Sequence, residues 1–554
     1  MSGDSEILPA AGVVRDAIDL RRLPWIRPLV TAYLDDFGSV APLFAGNPKE
    51  PAAWRSAIRR VTNAPRQRAA LATVLTRQLE QRGAPDEARA AAASLADDST
   101  VAVVSGQQAG LFGGPLYTLL KAVTAVQLAR RVRTEHGTSA VAVFWVDAED
   151  HDWNEIRTAS ILDEELSLRH VTVDQVEGAG TRPVASLAFD AGINDALDEL
   201  DAGLAASEFK SETMSALRRH FRPGAGVATA FAGFLDDLLG RHGLIVFESG
   251  DAHVKPLVAD LFVHELEHPG RTGQLAREAG EAMAKLGHQP QVQPAADSVA
   301  LFHTDASGRR PIKRRDPDFV VGDQTRPAAD LLAEVRAHPE RFSPNVLLRP
   351  LVQDRLFPTV CYVAGPSELA YQAQLGNVYR EFGVEAPLLY PRATATLVDS
   401  GAARFLEKSR TPFESLQARD ESALNRLLES LLPPSLERTF EETDRQIAEG
   451  ASRLKTAVVS LDPTLSGAVD TTLDRMREAL KTLQGKIIQA TKRKDETLRR
   501  QFTRTRALAF PDGHPQERIL CSVFFVNRYG LLLTDRLIES LPLETDKHYI
   551  LRID

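Results

Sequence analysis

Two polar clusters in the chain carry residue types that chemistry needs, and each follows directly on a short apolar run. The first is Ser105-Gly106-Gln107-Gln108, with Gly113-Gly114 a few residues on and Tyr117 and Lys121 beyond them. A glycine loop that opens a helix frees backbone N–H groups for an anion, and paired glutamines add side-chain donors and acceptors. Tyr117 and Lys121, four apart, share one helix face. The second cluster is Asp147, Glu149, Asp150, His151 and Asp152. Carboxylates gathered around one imidazole can bind an amine, hold Mg2+, or tune the histidine as a general base. So many like charges are costly together, so something positive is expected there to balance them. Each cluster also has a bland reading: glycines that only let a helix pack closely on a sheet, and an acidic turn that is merely solvated. The glycine cluster is not a P-loop, since no Gly-Lys-Ser/Thr closes it, and it is not the spaced GxGxxG fingerprint.

The elements that must hold these clusters decide between the readings. Residues 101–104 and 140–146 are apolar runs of the kind found in strands buried on both faces. Between them Leu116, Leu119, Leu120 and Val123 recur at helical spacing, predicting a helix that opens at Pro115 and runs to about residue 133. Strand, helix and strand make a βαβ unit with parallel strands and a right-handed crossover. Both clusters then fall beyond strand carboxyl ends, where open α/β sheets bind ligands, and this shared position favours a site. Residues 243–247, 359–364 and 388–392 add further strand patterns. Asn345 and Arg349 precede the second of these. Gly365, Glu368 and Tyr371 follow it, repeating the order of strand, glycine turn and polar helix start. Arg349 and Arg392 either pair with carboxylates or grip an anionic substrate bidentately, and the second role is expected of at least one.

Around this core, residues 13–100 read mainly as helices. Two inserted segments are expected: about 157–240, with strand-like pieces at 168–173 and 183–189, and about 270–345, mixing helices with a basic turn at 309–315. His264-Glu265-Leu266-Glu267-His268 spells HExxH, but Pro269-Gly270 ends the helix at once. Short degenerate matches are common accidents, and no metal ligand is assigned from it. From 401 to 506 the pattern becomes that of a coiled coil. Phe440, Ile447, Leu454 and Leu461 precede a break at Asp462-Pro463, and Val469, Leu473, Met476, Leu480, Leu483, Ile487 and Ala490 alternate three and four apart. The prediction is an antiparallel helical hairpin whose seam is buried against a second copy of the chain. Residues 507–554 should return to the core, ending in a strand at 549–551, and residues 1–400 make up the rest of that core.

Composition narrows the function classes. Of the 554 residues, 43% are hydrophobic and 25% charged, an ordinary globular balance. The net charge of −9 argues against a general nucleic-acid binder. Cys361 and Cys521, far apart in apolar runs, read as buried thiols with no disulfide between them. Residues 1–12 carry no leader pattern, and no apolar run approaches the ~18 residues of a membrane span. A cytoplasmic location away from the membrane is expected.

Residues 105–117 and 144–152, Asn345 to Arg349-Pro350, Gly365-Pro366 with Glu368 and Tyr371, and Gln516-Glu517-Arg518 together resemble the BshC family. The departures are small: Ser105, Trp153 and Gln372 stand where that family is expected to have Thr, Phe and Trp. The resemblance implies an α/β fold with a Rossmann-like parallel-sheet core, inserted connecting segments, and an α-helical coiled-coil domain that forms a homodimer. It also implies a ligase that joins L-cysteine to the amine of glucosaminyl-malate in the last step of bacillithiol biosynthesis. Making an amide from a free carboxylate is uphill in water, so ATP is the implied activator, by way of an adenylate or acyl phosphate, with Mg2+ where phosphates need it. On this reading Gly113-Gly114 at the helix start, with Gln107, Gln108 and Lys121, takes phosphate or carboxylate. Glu149, Asp150, His151 and Asp152 take amines or Mg2+, with His151 the base for the attacking amine, and Arg349 or Arg392 takes the malate carboxylates. The alternatives are a nucleotide- or metabolite-binding dimeric interaction protein and another ATP-using nucleotidyltransferase on the same core.

Overall fold

The apolar runs pair into a parallel sheet because each is flanked on both faces by helices that supply the matching apolar surface. The computed structural model describes residues 13–430, 434–494 and 496–553. Residues 1–12, read above as free of a leader pattern, lie outside them. The chain divides into one unit of residues up to 397 together with those from 516 onward, and a second of residues 398–515.

In the first unit, β1 (Val101–Gln108) and β2 (Ala140–Asp147) are joined by helix α1 (Leu116–His136), the predicted βαβ unit. Leu116, Leu119, Leu120 and Val123 are all wholly buried. Pro115 sits just outside the helix, in extended conformation, because the chain there bridges to Cys521 and the Leu116 N–H bonds Leu520 O at 2.9 Å. β3 (Leu244–Glu248) lies beside β2. The chain next makes an antiparallel sheet around β4 (Ser298–Asp305), β5 (Gly308–Arg315) and β6 (Phe342–Pro344). It then returns to the parallel sheet with β7 (Thr359–Ala364) and β8 (Leu388–Pro391), giving the order β8-β7-β1-β2-β3.

Several expectations are corrected. The basic run at 309–315 is strand β5 and no turn. A hairpin strand solvated on one face needs few inward apolar residues, and here Ile312 supplies one, at 1% exposure. Residues 183–189 hold a single 3-10 turn, Val184–Ser186, where a strand was expected. The Val184 and Ala185 N–H groups bond Asp150 O and Ala148 O at 2.8 Å, so this segment braces the acidic loop. Residues Val13–Asp19, read with the helical region, form a strand paired with Lys547–Arg552, the predicted terminal strand, which also borders Thr394–Val398. The HExxH spelling is structural. Glu265 is buried and accepts from Thr272 Oγ1 and from Ala300 N at 2.7 Å, tying its helix to β4. His264 packs on His268 and Phe382.

The second unit is helical. Pro434–Val459 and Ser466–Lys494 run antiparallel about the turn Pro463–Leu465, with Lys455–Asp470 and Arg477–Asp444 ion pairs between them. Leu454, Met476 and Leu483 of the predicted seam are 61%, 50% and 50% exposed. Among the described residues no helix is long and apolar enough to cross a membrane. Cys361 in β7 and Cys521 are free and buried, and burial pushes both thiols up, that of Cys521 to about 12.

His548 marks how firmly the C-terminal strand is docked. It is 2% exposed, with Nδ1 on Thr394 Oγ1 and Nε2 on Thr396 Oγ1, both at 2.9 Å. Burial pulls its pKa from 6.5 down to about 4, Glu517 opposing and Arg392 adding to the effect. The neutral ring is therefore the folded form. Stability is full above about pH 6.5 and falls as the pH drops towards 4, by about 3 kcal/mol at most. Denaturant unfolding at stepped pH should show this loss in the native chain and its absence in His548→Gln.

Candidate functional site

The carboxyl ends of β1, β2 and β7 open into a cavity of about 630 Å3. Gly106 sits at its floor because a Cβ there would meet Trp145 O at 2.5 Å, so a side chain would prise β1 from β2. Lys121, 3% exposed, reaches up from α1 beneath this floor. Its Nζ donates to Gly106 O at 2.8 Å and Gln107 Oε1 at 3.0 Å and pairs with Glu368 Oε2 at 2.6 Å. Burial pulls the Lys121 pKa down and Glu368 opposes it. Glu368 begins a helix that follows β7 and also accepts from Gly365 N and Tyr362 Oη, each at 2.6 Å. Burial alone would raise its pKa, yet Lys121 and these donors hold it below the ordinary value.

The acidic loop lies at the end of β2. Burial raises the pKa of Asp147, with Arg349 opposing from 3.8 Å. Glu149 is paired inside the protein with Lys255, which also donates to Phe342 O at 3.2 Å. Gln108 Nε2 donates to Asp150 Oδ2 at 3.1 Å and to Glu155 Oε2 at 2.7 Å. Glu155 has a raised pKa, from burial first, Gln108 opposing, with Asp150, Asp152 and Asp147 adding to the rise. The positive charge demanded by this loop comes from β5. Arg309 is held by Ser343 Oγ at 2.9 Å and Pro344 O at 3.1 Å and lies 3.6 Å over the Phe302 ring. It faces Asp150 Oδ1 at 3.8 Å and His151 Nδ1 at 3.2 Å. The His151 Nδ1 is also faced by Asp150 Oδ1 at 3.4 Å, so this nitrogen lies between a cation and a carboxylate. His151 lines the cavity with its Nδ1 engaged by protein groups.

The basic side is built by strand and helix starts. Arg349 donates to Tyr371 Oη at 2.8 Å and Gln353 Oε1 at 3.4 Å. Asn345 Oδ1 accepts from Leu347 N at 2.9 Å. Arg392 lines the cavity but is held bidentately by Glu517, at 2.9 and 2.6 Å, so the expected bidentate grip on a substrate is already occupied from within.

Most of the predicted residues converge on this one cavity: Gly106, Gln107, Gln108, Tyr117, Lys121, Glu149, Asp150, His151, Asn345, Arg349, Gly365, Glu368, Tyr371 and Arg392. Four do not line it. Ser105 is buried with Oγ on Val363 O at 3.0 Å. Asp152 caps the short helix Trp153–Ile156 through Asn154 N at 3.1 Å. A Cβ on Gly113 would press on Phe234 at 3.0 Å, and Gly114 N bonds Leu111 O. With the Leu116 and Thr118 N–H groups also taken by Leu520 O and Pro115 O, the helix start expected to hold an anion is closed by protein. The lining residues not assigned to the site from the sequence include Trp145, Asp147, Glu155, Phe302, Tyr362, Arg309 and Arg518. Arg309 and Arg518 stood in sequence features already singled out; Glu155 left no signal.

The N-terminal part of the chain, residues 16–393, matches the family model described as bacillithiol biosynthesis BshC, N-terminal Rossmann-like domain. Residues 395–553 match the BshC C-terminal coiled-coil domain. The chain belongs to the BshC family. A relative in Salinibacter ruber, named "Putative cysteine ligase BshC", is 34% identical over 95% of this chain and 96% of its own. One of the same name in Koribacter versatilis is 31% identical over 98% and 100%. The family match covers both structural units.

Removing one partner of the Lys121–Glu368 pair should strand a buried charge. Glu368→Gln and Lys121→Met are each expected to cost about 3–5 kcal/mol in denaturant unfolding, and the double variant less than their sum.

Proposed function

We propose that the protein is a carbon–nitrogen ligase that joins L-cysteine to the amine of glucosaminyl-malate, forming bacillithiol. The observation that carries this reading is that one cavity, in a BshC-family chain, gathers an acidic side (Asp147, Asp150, Glu155) and a basic side (Arg349, Arg518). The named substrates carry an amine and carboxylates, and this division suits both. Asp150 and Glu155 receive the ammonium group. Glu155, with its raised pKa, takes the proton that the ammonium loses to become the attacking amine, and the second amine proton departs with the leaving group of the activated carboxyl.

Amide formation from a free carboxylate requires activation, and ATP would supply it when bound. The cavity volume and its arginines fit a phosphate-bearing ligand, with Arg349 and Asn345 the residues that would face it. Among the described residues no group of three or more His, Cys, Asp or Glu side chains could hold a metal ion, so Mg2+ would enter chiefly on the phosphates. A reaction that consumes ATP belongs in the cytoplasm.

Incubation with L-cysteine, glucosaminyl-malate and Mg-ATP should yield bacillithiol by mass spectrometry. Glu155→Gln should lower kcat by about 10²-fold or more while substrate binding persists. Substrate-dependent stabilisation with no product from the native chain would sink the ligase reading in favour of binding alone. The half-exposed Leu454, Met476 and Leu483 support pairing of the hairpin with a second copy. Light scattering should then give a dimer mass for the native chain and a monomer mass for Leu454→Glu with Leu483→Glu; a native monomer refutes the pairing.

A further inference from the structure

Each acidic and basic group around the cavity can be matched to its partner, and the matching is nearly complete. Lys121 has Glu368, Lys255 has Glu149, and Arg392 has Glu517. Arg349 faces Asp147 and Arg309 faces Asp150, both at 3.8 Å. Arg518 differs. It lines the same cavity, its side chain is exposed, and among the described residues it has no hydrogen bond or ion pair. A solvated surface arginine would be unremarked, but this one is fixed at its base. Its neighbours in the short turn Gln516–Ile519 are both committed. Gln516 exchanges hydrogen bonds with the Leu397 backbone, at 2.8 Å in each direction, and Glu517 clamps Arg392. That turn packs against α1, which carries Tyr117 and Lys121.

Tyr117 adds a neutral donor to the same wall. Its Oη accepts from Gln107 Nε2 at 3.3 Å, and its own proton has no acceptor among the described residues. Burial raises its pKa above 10, with Arg392 and Arg518 opposing, so the phenol stays protonated and able to donate. Arg392 stands 5.6 Å from the Tyr117 ring and already carries its counter-charge in Glu517. A guanidinium whose donors no described residue takes, lining the same cavity as a phenol O–H, is a receptor for paired anionic oxygens.

We infer that Arg518, with the Tyr117 hydroxyl, forms the subsite that holds the outermost anionic group of the ligand. The chemistry recognised is a pair of oxygens bearing negative charge, a carboxylate of the acceptor substrate or a terminal phosphate of the nucleotide. This rests on the proposed function only for which molecule brings the charge; the subsite itself requires no turnover. It differs in kind from Arg349 and Arg392, whose guanidinium groups are held by protein oxygens.

Binding to the full chain distinguishes the two sources. Thermal unfolding is followed in rising L-malate, and separately in rising sodium tripolyphosphate, with NaCl at matched ionic strength as the control. Arg518→Gln should keep the unliganded Tm of the native chain, because the side chain supports no contact, and should weaken binding of one anion at least tenfold. Loss confined to malate assigns a carboxylate; loss confined to tripolyphosphate assigns a phosphate. Arg518→Lys should recover part of the affinity, and Tyr117→Phe should show a smaller loss for the same anion. If neither anion stabilises the native chain beyond the NaCl control, or if Arg518→Gln binds both as tightly as the native chain, the subsite is overturned. Either result leaves the ligase assay standing on its own.

Discussion

A buried ammonium group dictates the shape of this cavity. Lys121 is buried beneath the ends of β1 and β7, and a lone charge there would be too costly to keep. Glu368 answers it, and to do so must stand at the first turn of the helix after β7, held by Gly365 N and Tyr362 Oη. The same Lys121 ties down the Gly106 carbonyl and the Gln107 side chain. One cation thereby fixes the end of the central strand, the glycine turn beyond its neighbour and the side chains facing the opening between them.

The acidic side follows a similar rule with different parts. Its cations arrive from segments inserted between the strands of the parallel sheet. Lys255 follows β3, and Arg309 comes from β5, a strand of the antiparallel sheet. The backbone at 184–185 adds two more bonds to the acidic loop. These insertions therefore complete a site that the parallel sheet alone would leave with unbalanced carboxylates. With Glu149 and Asp147 answered in this way, Asp150, Glu155, His151 and Arg518 are left lining the cavity.

Much of this was legible in the sequence. Period and composition locate β1, β2, α1, β7 and the hairpin, and the position of two polar clusters after two strands locates the cavity. The misreadings have a common physical origin. Gly113 and Gly114 look like an anion site because local sequence cannot reveal that Leu520–Ser522, some four hundred residues later, closes that helix start. Arg392 looks like a substrate clamp until Glu517 is seen against it. Arg309 was hidden in a strand whose solvated face gives no apolar rhythm, and Glu155 by its place on a single helical turn. Partners distant in sequence decide which polar group is available, and only folding brings them together.

The two cysteines carry a consequence of their own. A protein proposed to handle a free thiol runs the hazard of exchanging with it, since any thiolate of its own could be captured in a mixed disulfide. Here Cys361 is sealed inside the central sheet and Cys521 beneath the glycine loop, both with thiols pushed far towards the protonated, inert form. A thiol-bearing ligand at the rim of the sheet would meet no exposed cysteine of the chain.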